Sequence, residues 1–166
     1  MTRLSGVLVV LAVAGVVSAV PGAATAEFNG KACSLVTATA QRAAGVTGPC
    51  VQTTVRPMPA PAYLAEWGTA TSDHFLSVEV GVPTPTIRKQ STAPILPRPP
   101  RWNGPVRVAP GVLAYYIQSP YKGVANAAGK MKFLEHGYLT QIGLTDTSAP
   151  TLPGMMAVAR SIAGRL

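Results

Sequence analysis

The sequence predicts an α+β protein: an antiparallel sheet of about four to six strands, with an N-terminal short helix and a C-terminal helix packed on it. Apolar and polar residues alternate along 76–82, as is typical of a half-buried strand. His136-Gly137 between two strand-like segments indicates a hairpin, and the apolar spacing after Pro153 indicates a helix. With 16 Gly and 16 Pro in 166 residues, the composition favours short elements joined by turns over a helical bundle.

Residues 1–26 are predicted to be a signal peptide. Arg3 supplies the positive charge at the start, and residues 7–17 form the apolar segment. Ala24-Thr25-Ala26 offers the small residues that signal peptidase recognises. Cleavage there leaves residues 27–166 as a single exported α+β domain of ordinary size.

Two alternatives at this end of the chain stay open. Val17-Ser18-Ala19 is a second acceptable cleavage site, so cleavage after Ala19 is one of them. The other is an uncleaved anchor helix over 4–20, a stretch at the short end of what a membrane span requires. Export puts the domain on the oxidising side of the membrane, so we expect a secreted or extracytoplasmic protein of the cell envelope.

Cys33 and Cys50 are the only cysteines, and two cysteines in an exported chain are typical of one disulfide. Zinc normally takes four ligands, and His74 and His136 do not lie at motif spacing, so we expect no metal and no cofactor. A lipid anchor needs a cysteine at the end of the apolar segment, and a nucleophile needs a free thiolate. The sequence therefore predicts a Cys33–Cys50 bridge.

The elements that follow are predicted from caps and from residue alternation. Thr37 is expected to cap a short helix that ends at Gly45. A strand follows at 51–55, and its alternation predicts that the face carrying Val51 and Val55 is half-buried. Further strands are predicted from apolar alternation and from β-branched and aromatic content at 63–67, 76–82 and 112–118.

The C-terminal third predicts a hairpin and a helix. Residues 130–135 and 138–144 flank His136-Gly137, where a two-residue turn requires positive φ. Pro153 stands at a favoured first-turn position of the final helix. The apolar residues of this helix, expected to face the sheet, are Met155, Val158, Ala159, Ile162, Ala163 and Leu166.

A basic proline-rich loop is predicted at 83–110. Together with Val82, this stretch contains eight of the 16 prolines, five basic residues and no acid. Proline at this density disfavours helices and central strands and favours an extended arm. Guanidinium and ammonium groups bind phosphate or carboxylate, and Trp offers a stacking face. The predicted ligand-binding residues are Arg88, Lys89, Arg98, Arg101, Trp102 and Arg107. The alternative is a solvated connection between two strands.

Several motifs in order along the chain resemble those of one family. They are "CSLVT" at 33–37 before an alanine-rich helix, "PGVLAYYIQ" at 110–118, "FLEHGYLTQIGL" at 133–144 and "APTLPGMMAVARSIAGRL" at 149–166. Together they resemble the small exported proteins and lipoproteins of actinobacteria that begin with a Cys-Ser/Asp-Leu-Leu-Thr motif and have no assigned function. The resemblance implies an envelope-facing α+β domain with an N-terminal disulfide, and it implies no activity.

Catalytic motifs are absent from the sequence. It contains no Gly-x-Ser-x-Gly elbow, no His-Glu-x-x-His and no phosphate-binding loop. A hydrolase site assembled in space from Glu66 and Glu79, or from a serine with His74, remains the alternative. We therefore expect a protein that is not an enzyme.

The formal charge of +8 indicates, outside the cell, an anionic partner. We expect a non-catalytic binding or accessory module that docks an anionic envelope polymer or lipid, or an envelope protein, through the basic loop. Export and the lack of a binding motif argue against nucleic acid, and any membrane contact is expected to be peripheral. The alternatives are a small secreted hydrolase and a structural partner in an envelope protein assembly.

Overall fold

The computed structural model describes residues 28–55, 62–70, 72–92, 102–118, 128–146 and 150–166. The predicted signal peptide lies outside these residues. The described elements, in chain order, are a 3₁₀ helix (Ala32–Leu35), α1 (Ala38–Ala43), β1 (Cys50–Val55), β2 (Ala62–Trp67), β3 (His74–Gly81), α2 (Pro85–Thr92), β4 (Asn103–Ala109), β5 (Val112–Gln118), β6 (Ala128–Glu135), β7 (Tyr138–Asp146) and α3 (Thr151–Ala163).

The seven strands in the described part of the chain form one antiparallel sheet in the order β1-β2-β3-β7-β6-β5-β4. Two meanders, β1–β3 and β4–β7, therefore meet at the β3–β7 ladder, which runs from His74↔Asp146 to Gly81↔Leu139. The α+β class with a short N-terminal helix and a C-terminal helix is confirmed. The sheet has more strands than the four to six expected, because β4 lies within the range 83–110 that the sequence predicts to be a loop.

Helix α3 packs against β4–β7 on the side of the sheet that we call the inner face, and the 3₁₀ helix packs against β1–β3 on the same side; the other side is the outer face. The predicted apolar residues of α3 are all buried. Two glycines allow the helix to approach the strands. A β-carbon at Gly129 would lie 2.6 Å from Cε of Met155, and one at Gly154 would lie 2.8 Å from Cδ2 of Leu144. The opposing strand residues Leu76, Val78, Met131, Phe133, Ile142 and Leu144 are buried as well.

Thr37 caps α1, as predicted, because its Oγ1 accepts a hydrogen bond from the Ala40 amide at 3.2 Å. Helix α3 holds this region in place through Ser161. The Oγ of Ser161 accepts from the Thr37 amide at 2.9 Å and donates to the Leu35 carbonyl at 2.8 Å. The 3₁₀ helix, α1 and α3 are therefore joined by one side chain.

The predicted Cys33–Cys50 disulfide is confirmed, with the two Cα atoms 5.9 Å apart. It links the 3₁₀ helix to the first residue of β1. Gln52 on the same strand adds two hydrogen bonds: its Nε2 donates to the Gly30 carbonyl at 2.6 Å, and its Oε1 accepts from the Cys33 amide at 3.2 Å. The N-terminal segment is thus attached to β1 at two positions.

The hairpin turn between β6 and β7 is confirmed as well. His136 has φ of 47° and Gly137 has φ of 87°, so both central residues adopt the left-handed conformation that a tight two-residue turn requires. At this end of the sheet Phe28 packs edge-on against Tyr63 and Tyr138, with ring centroids 5.4 and 5.6 Å away.

The prediction of an extended arm over 83–110 is wrong for Pro85–Thr92, which forms α2, and for Asn103–Ala109, which forms β4. Pro85 opens helix α2, where the missing N–H removes no helical bond, and Thr84 accepts from the Ile87 amide at 3.1 Å. Pro105 lies within β4, which tolerates it because β4 is an edge strand and needs hydrogen bonds on one side only. Residues 93–101 lie outside the described part of the chain.

The strand at 51–55 is confirmed, but the prediction that its valine face is half-buried is wrong. Val51 is 58% exposed and Val55 is 37% exposed. The physical reason is position: β1 is an edge strand, and its inner-face residue Gln52 meets the N-terminal segment while the valines project from the outer face.

Removing the disulfide tests how much the link between the 3₁₀ helix and β1 contributes. We expect Cys33→Ser/Cys50→Ser to lower the free energy of unfolding by about 3 kcal/mol, since a closed loop of this length restricts the unfolded chain by about that amount. Urea unfolding of both proteins, with and without reductant, measures the difference. Reductant is expected to destabilise the natural protein and not the variant. Equal stability of the natural protein and the variant without reductant would contradict the expectation.

Ser161→Ala tests the contact between α3 and the N-terminal helices. It leaves the Thr37 amide and the Leu35 carbonyl without their partner in a partly buried site, so we expect a loss of about 1–3 kcal/mol in unfolding free energy. The matched control is Ser34→Ala. Among the described residues, its exposed hydroxyl donates to the Lys31 carbonyl alone, and we expect its loss to change stability by less than about 0.5 kcal/mol. Equal losses in the two variants would contradict the role of Ser161.

Candidate functional site

The outer face of β4, β5 and β6 carries three basic side chains. Lys132 pairs with Tyr115, Lys130 pairs with Ile117, and Arg107 pairs with Leu113. Paired residues share a face, and successive residues of a strand alternate, so these side chains project away from α3. Arg107 and Lys130 are exposed, and Lys132 is half-buried.

Trp102 stands directly before β4 and covers Lys132. The Nζ atom of Lys132 lies 4.5 Å from the centroid of the Trp102 ring, which is a cation–π contact. Burial lowers the pKa of Lys132 below its ordinary value of 10.5. The contact and the half-burial of the indole restrict the orientation of its ring before any ligand arrives.

Helix α2 lies against β6 and adds two exposed basic side chains, Arg88 and Lys89. Nη2 of Arg88 donates a hydrogen bond of 3.4 Å to the carbonyl of Gly137 in the hairpin turn. Helix α2 is thereby anchored to the β6–β7 turn, at the same half of the sheet as the three basic strand residues.

We call these residues the basic surface: Arg88, Lys89, Trp102, Arg107, Lys130 and Lys132. Four of them were predicted from the sequence. The other two predicted residues, Arg98 and Arg101, lie outside the described part of the chain. Lys130 and Lys132 were missed, although their spacing of two within a predicted strand was the signal that they share a face.

The acidic residues of the outer face lie on other strands. Glu66 on β2 pairs with Ser77, and Glu79 on β3 pairs with Gln141, so both project from the outer face. The outer face therefore has its acids on β2 and β3 and its bases on β4 and β6. Three inter-strand spacings, about 14 Å, separate Glu66 from Lys130, which is longer than the Debye length at physiological salt.

A second group of ionisable side chains lies on the inner face, where β3 begins and β7 ends. Nδ1 of His74 is 3.4 Å from Oδ1 of the nearly buried Asp146, without the alignment of a hydrogen bond. The Ser72 hydroxyl, two residues before His74, is engaged by the backbone carbonyls of Thr69 and His74 at 2.6 Å each. The structure therefore gives a His–Asp pair that Ser72 does not extend into a triad.

Glu135 closes β6 beside the hairpin turn, and its Oε2 atom is buried without a hydrogen-bond partner. Burial raises the pKa of Glu135 above its ordinary value of 4.5, and the neighbouring charge of His136 partly opposes this shift. Glu66 and Glu79, considered from the sequence as a carboxylate pair, project from the outer face of adjacent strands, opposite the face of His74.

Among the residues that the structure describes, no group of three or more His, Cys, Asp or Glu side chains could hold a metal ion. No helix in the same residues is long and apolar enough to cross a membrane. Comparisons with protein-family models, with curated proteins and with solved structures find no match to this chain.

The raised pKa of Glu135 gives stability a pH dependence of known sign. The folded state holds this proton more tightly than the unfolded state, so the contribution of Glu135 to the free energy of unfolding falls as pH rises from 4.5 through the folded-state pKa. Glu135→Gln removes this titration. We expect its stability relative to the natural protein to increase over that window and then to level off, as measured by urea unfolding at a series of pH values. A difference that does not change with pH would contradict the expectation.

Proposed function

We propose that this protein is an exported, non-catalytic binding or accessory module of the cell envelope, and that it docks an anionic polymer or lipid through the basic surface. The observation that carries the proposal is the shared face of Arg107 on β4 and of Lys130 and Lys132 on β6, with only β5 between the two strands. Bases two inter-strand spacings apart, about 10 Å, lie within reach of different phosphates or carboxylates of one extended anion.

The separation of charge on the outer face supports a preferred orientation. An anionic surface attracts the half of the sheet formed by β4 and β6 and repels Glu66 and Glu79. The protein would therefore approach such a surface with one end of its sheet, and not by net charge alone.

Trp102 supports a ligand that has an apolar or ring face beside its anionic group. An indole whose orientation is already restricted by its contact with Lys132 loses less conformational freedom on binding. A sugar ring or a lipid headgroup linked to phosphate or carboxylate has both parts. The proposal therefore names phosphate- or carboxylate-bearing glycans and anionic lipids as ligand classes.

The extracytoplasmic location is part of the proposal. The predicted signal peptide, the Cys33–Cys50 disulfide and the resemblance to exported actinobacterial proteins support it. The partner is accordingly sought among envelope components and not among nucleic acids.

Binding of residues 27–166, which include every described residue, can be measured at low and high salt. The probes are vesicles of phosphatidylcholine, vesicles containing phosphatidylglycerol, and a soluble acidic polysaccharide. We expect binding to the anionic probes only, decreasing with salt. Lys89→Gln/Arg107→Gln/Lys130→Gln removes three exposed bases and leaves the contact between Lys132 and Trp102 in place. It is expected to weaken this binding by at least about tenfold, since each exposed contact contributes a few tenths to about 1 kcal/mol.

The matched control is Lys31→Gln/Arg42→Gln/Arg160→Gln, which removes the same charge from exposed residues that precede the 3₁₀ helix or lie in α1 and α3. We expect this variant to bind nearly as well as the natural protein. Equal weakening of both variants would reduce the effect to net charge, and unchanged binding in the first variant would refute the proposal. The relative affinities for vesicles and polysaccharide distinguish the lipid from the glycan.

A further inference from the structure

Strand β1 is an open edge of the sheet. It pairs with β2 in unbroken register from Cys50↔Trp67 to Val55↔Ala62. Every residue from Val51 to Val55 is exposed. Among the described residues, no backbone hydrogen bond joins β1 to a segment other than β2. The outward amide and carbonyl groups of such a strand form a template for another strand.

The opposite edge strand, β4, has the features that protect an edge from pairing with another strand, and β1 lacks them. It contains Pro105 and the charged Arg107, and its register with β5 shifts twice. Strand β1 has no proline, no bulge and no charged side chain; its six residues read CVQTTV. The two edges of one sheet are therefore unequal, and β1 is the one suited to accept a strand.

Strand β1 is also held in position before any partner arrives. The disulfide fixes its first residue, and Gln52 is bonded to Gly30 and Cys33. An edge that is already ordered loses little conformational entropy on pairing. Gln52 and the N-terminal segment to which it bonds lie on the inner face, so the free edge of the strand and the outer-face valines form the surface that a partner can reach.

We propose that β1 pairs antiparallel with β1 of a second copy of this chain, about a two-fold axis at Thr53. A two-fold pairing brings the same surface of each copy together. The sequence of β1 is complementary to itself about Thr53, because Val51 and Val55 are equidistant from it and share its face. Val51 of each copy then lies opposite Val55 of the other, and the two exposed valines cover each other.

The charge distribution favours the β1 edge over the other faces of the molecule as the place where two copies meet. Two copies of a chain with charge +8 repel each other. Strand β1 is four inter-strand spacings, about 19 Å, from the basic residues of β6, well beyond the Debye length. The described charged side chains near this edge are Glu66 on the neighbouring strand β2 and Lys31 in the N-terminal segment, one acid and one base. The β1 edge is thus a place where two copies meet with little repulsion.

Pairing about this axis keeps the outer faces of both copies on the same side of one continuous sheet. Two basic surfaces then face the same way, which increases the avidity for a long anion. This consequence rests on the proposed function, whereas the pairing of β1 does not. The contact is small for a specific interface, so we expect a dimer in exchange with the monomer at micromolar concentrations.

Sedimentation velocity of residues 27–166 over a wide range of concentration tests the pairing. We expect the average sedimentation coefficient to rise with concentration for the natural protein. Thr53→Lys and Thr53→Glu each put like charges face to face on the axis, and each is expected to weaken association by at least about tenfold. Thr53 is exposed, so both variants should retain the natural circular dichroism spectrum and melting temperature.

An equimolar mixture of Thr53→Lys and Thr53→Glu pairs opposite charges at the same point, and we expect it to associate again. Val82→Lys, which adds a charge at an exposed valine outside β1, is the control and should associate like the natural protein. A natural protein that stays monomeric at every concentration would overturn the proposal. Association that persists in both Thr53 variants, or a mixture that stays monomeric, would overturn it as well. None of these results bears on anion binding, which is measured separately.

Discussion

The close approach of α3 to the inner face is the contact on which the rest of the structure depends. Gly129 and Gly154 permit it, since a β-carbon at either position would overlap Met155 or Leu144. The approach lets the apolar stripe of α3 cover the centre of the sheet, where burial contributes most to stability. The N-terminal helices depend on it in turn, because Ser161 of α3 bonds to their backbone. A β-carbon at Gly154 would also lie 3.0 Å from the backbone Cα of Ala44, so a larger residue there would force α3 and the end of α1 to shift apart.

The two faces of the sheet consequently differ in what they can do. The inner face is largely occupied by packing, and its ionisable pair, His74 and Asp146, lies at the margin where β3 begins. The outer face carries the separated charges and an indole held by a lysine. When the core lies on one side of a sheet, the other side can serve for binding. Here that side has its acids on β2 and β3 and its bases on β4 and β6, so its two halves differ in charge.

Much of the fold could be predicted from local sequence. Residue alternation, the Thr37 cap and the His136-Gly137 turn each depend on near neighbours, and the structure has the corresponding elements. Helix α2 and strand β4 could not be predicted in this way, because proline density was taken to exclude both. A first-turn proline and an edge-strand proline escape that exclusion only through their position in the fold. The same holds for the site: Arg107 was found from charge alone, whereas the alignment of Lys132 under Trp102 depends on how strands pair.

The order of the elements along the chain has a consequence for biosynthesis. The first meander, β1–β3, offers β3 as its free edge until β7 arrives, and β7 is the last strand to be made. The half of the inner face formed by β4–β7 likewise gains its cover only with α3, which follows β7. Most of this chain therefore leaves the ribosome before the sheet can be completed by β7 and the core by α3. For a protein that we propose to be exported, such an order keeps the chain in an open form, able to pass through a narrow channel, until its final helix has been made.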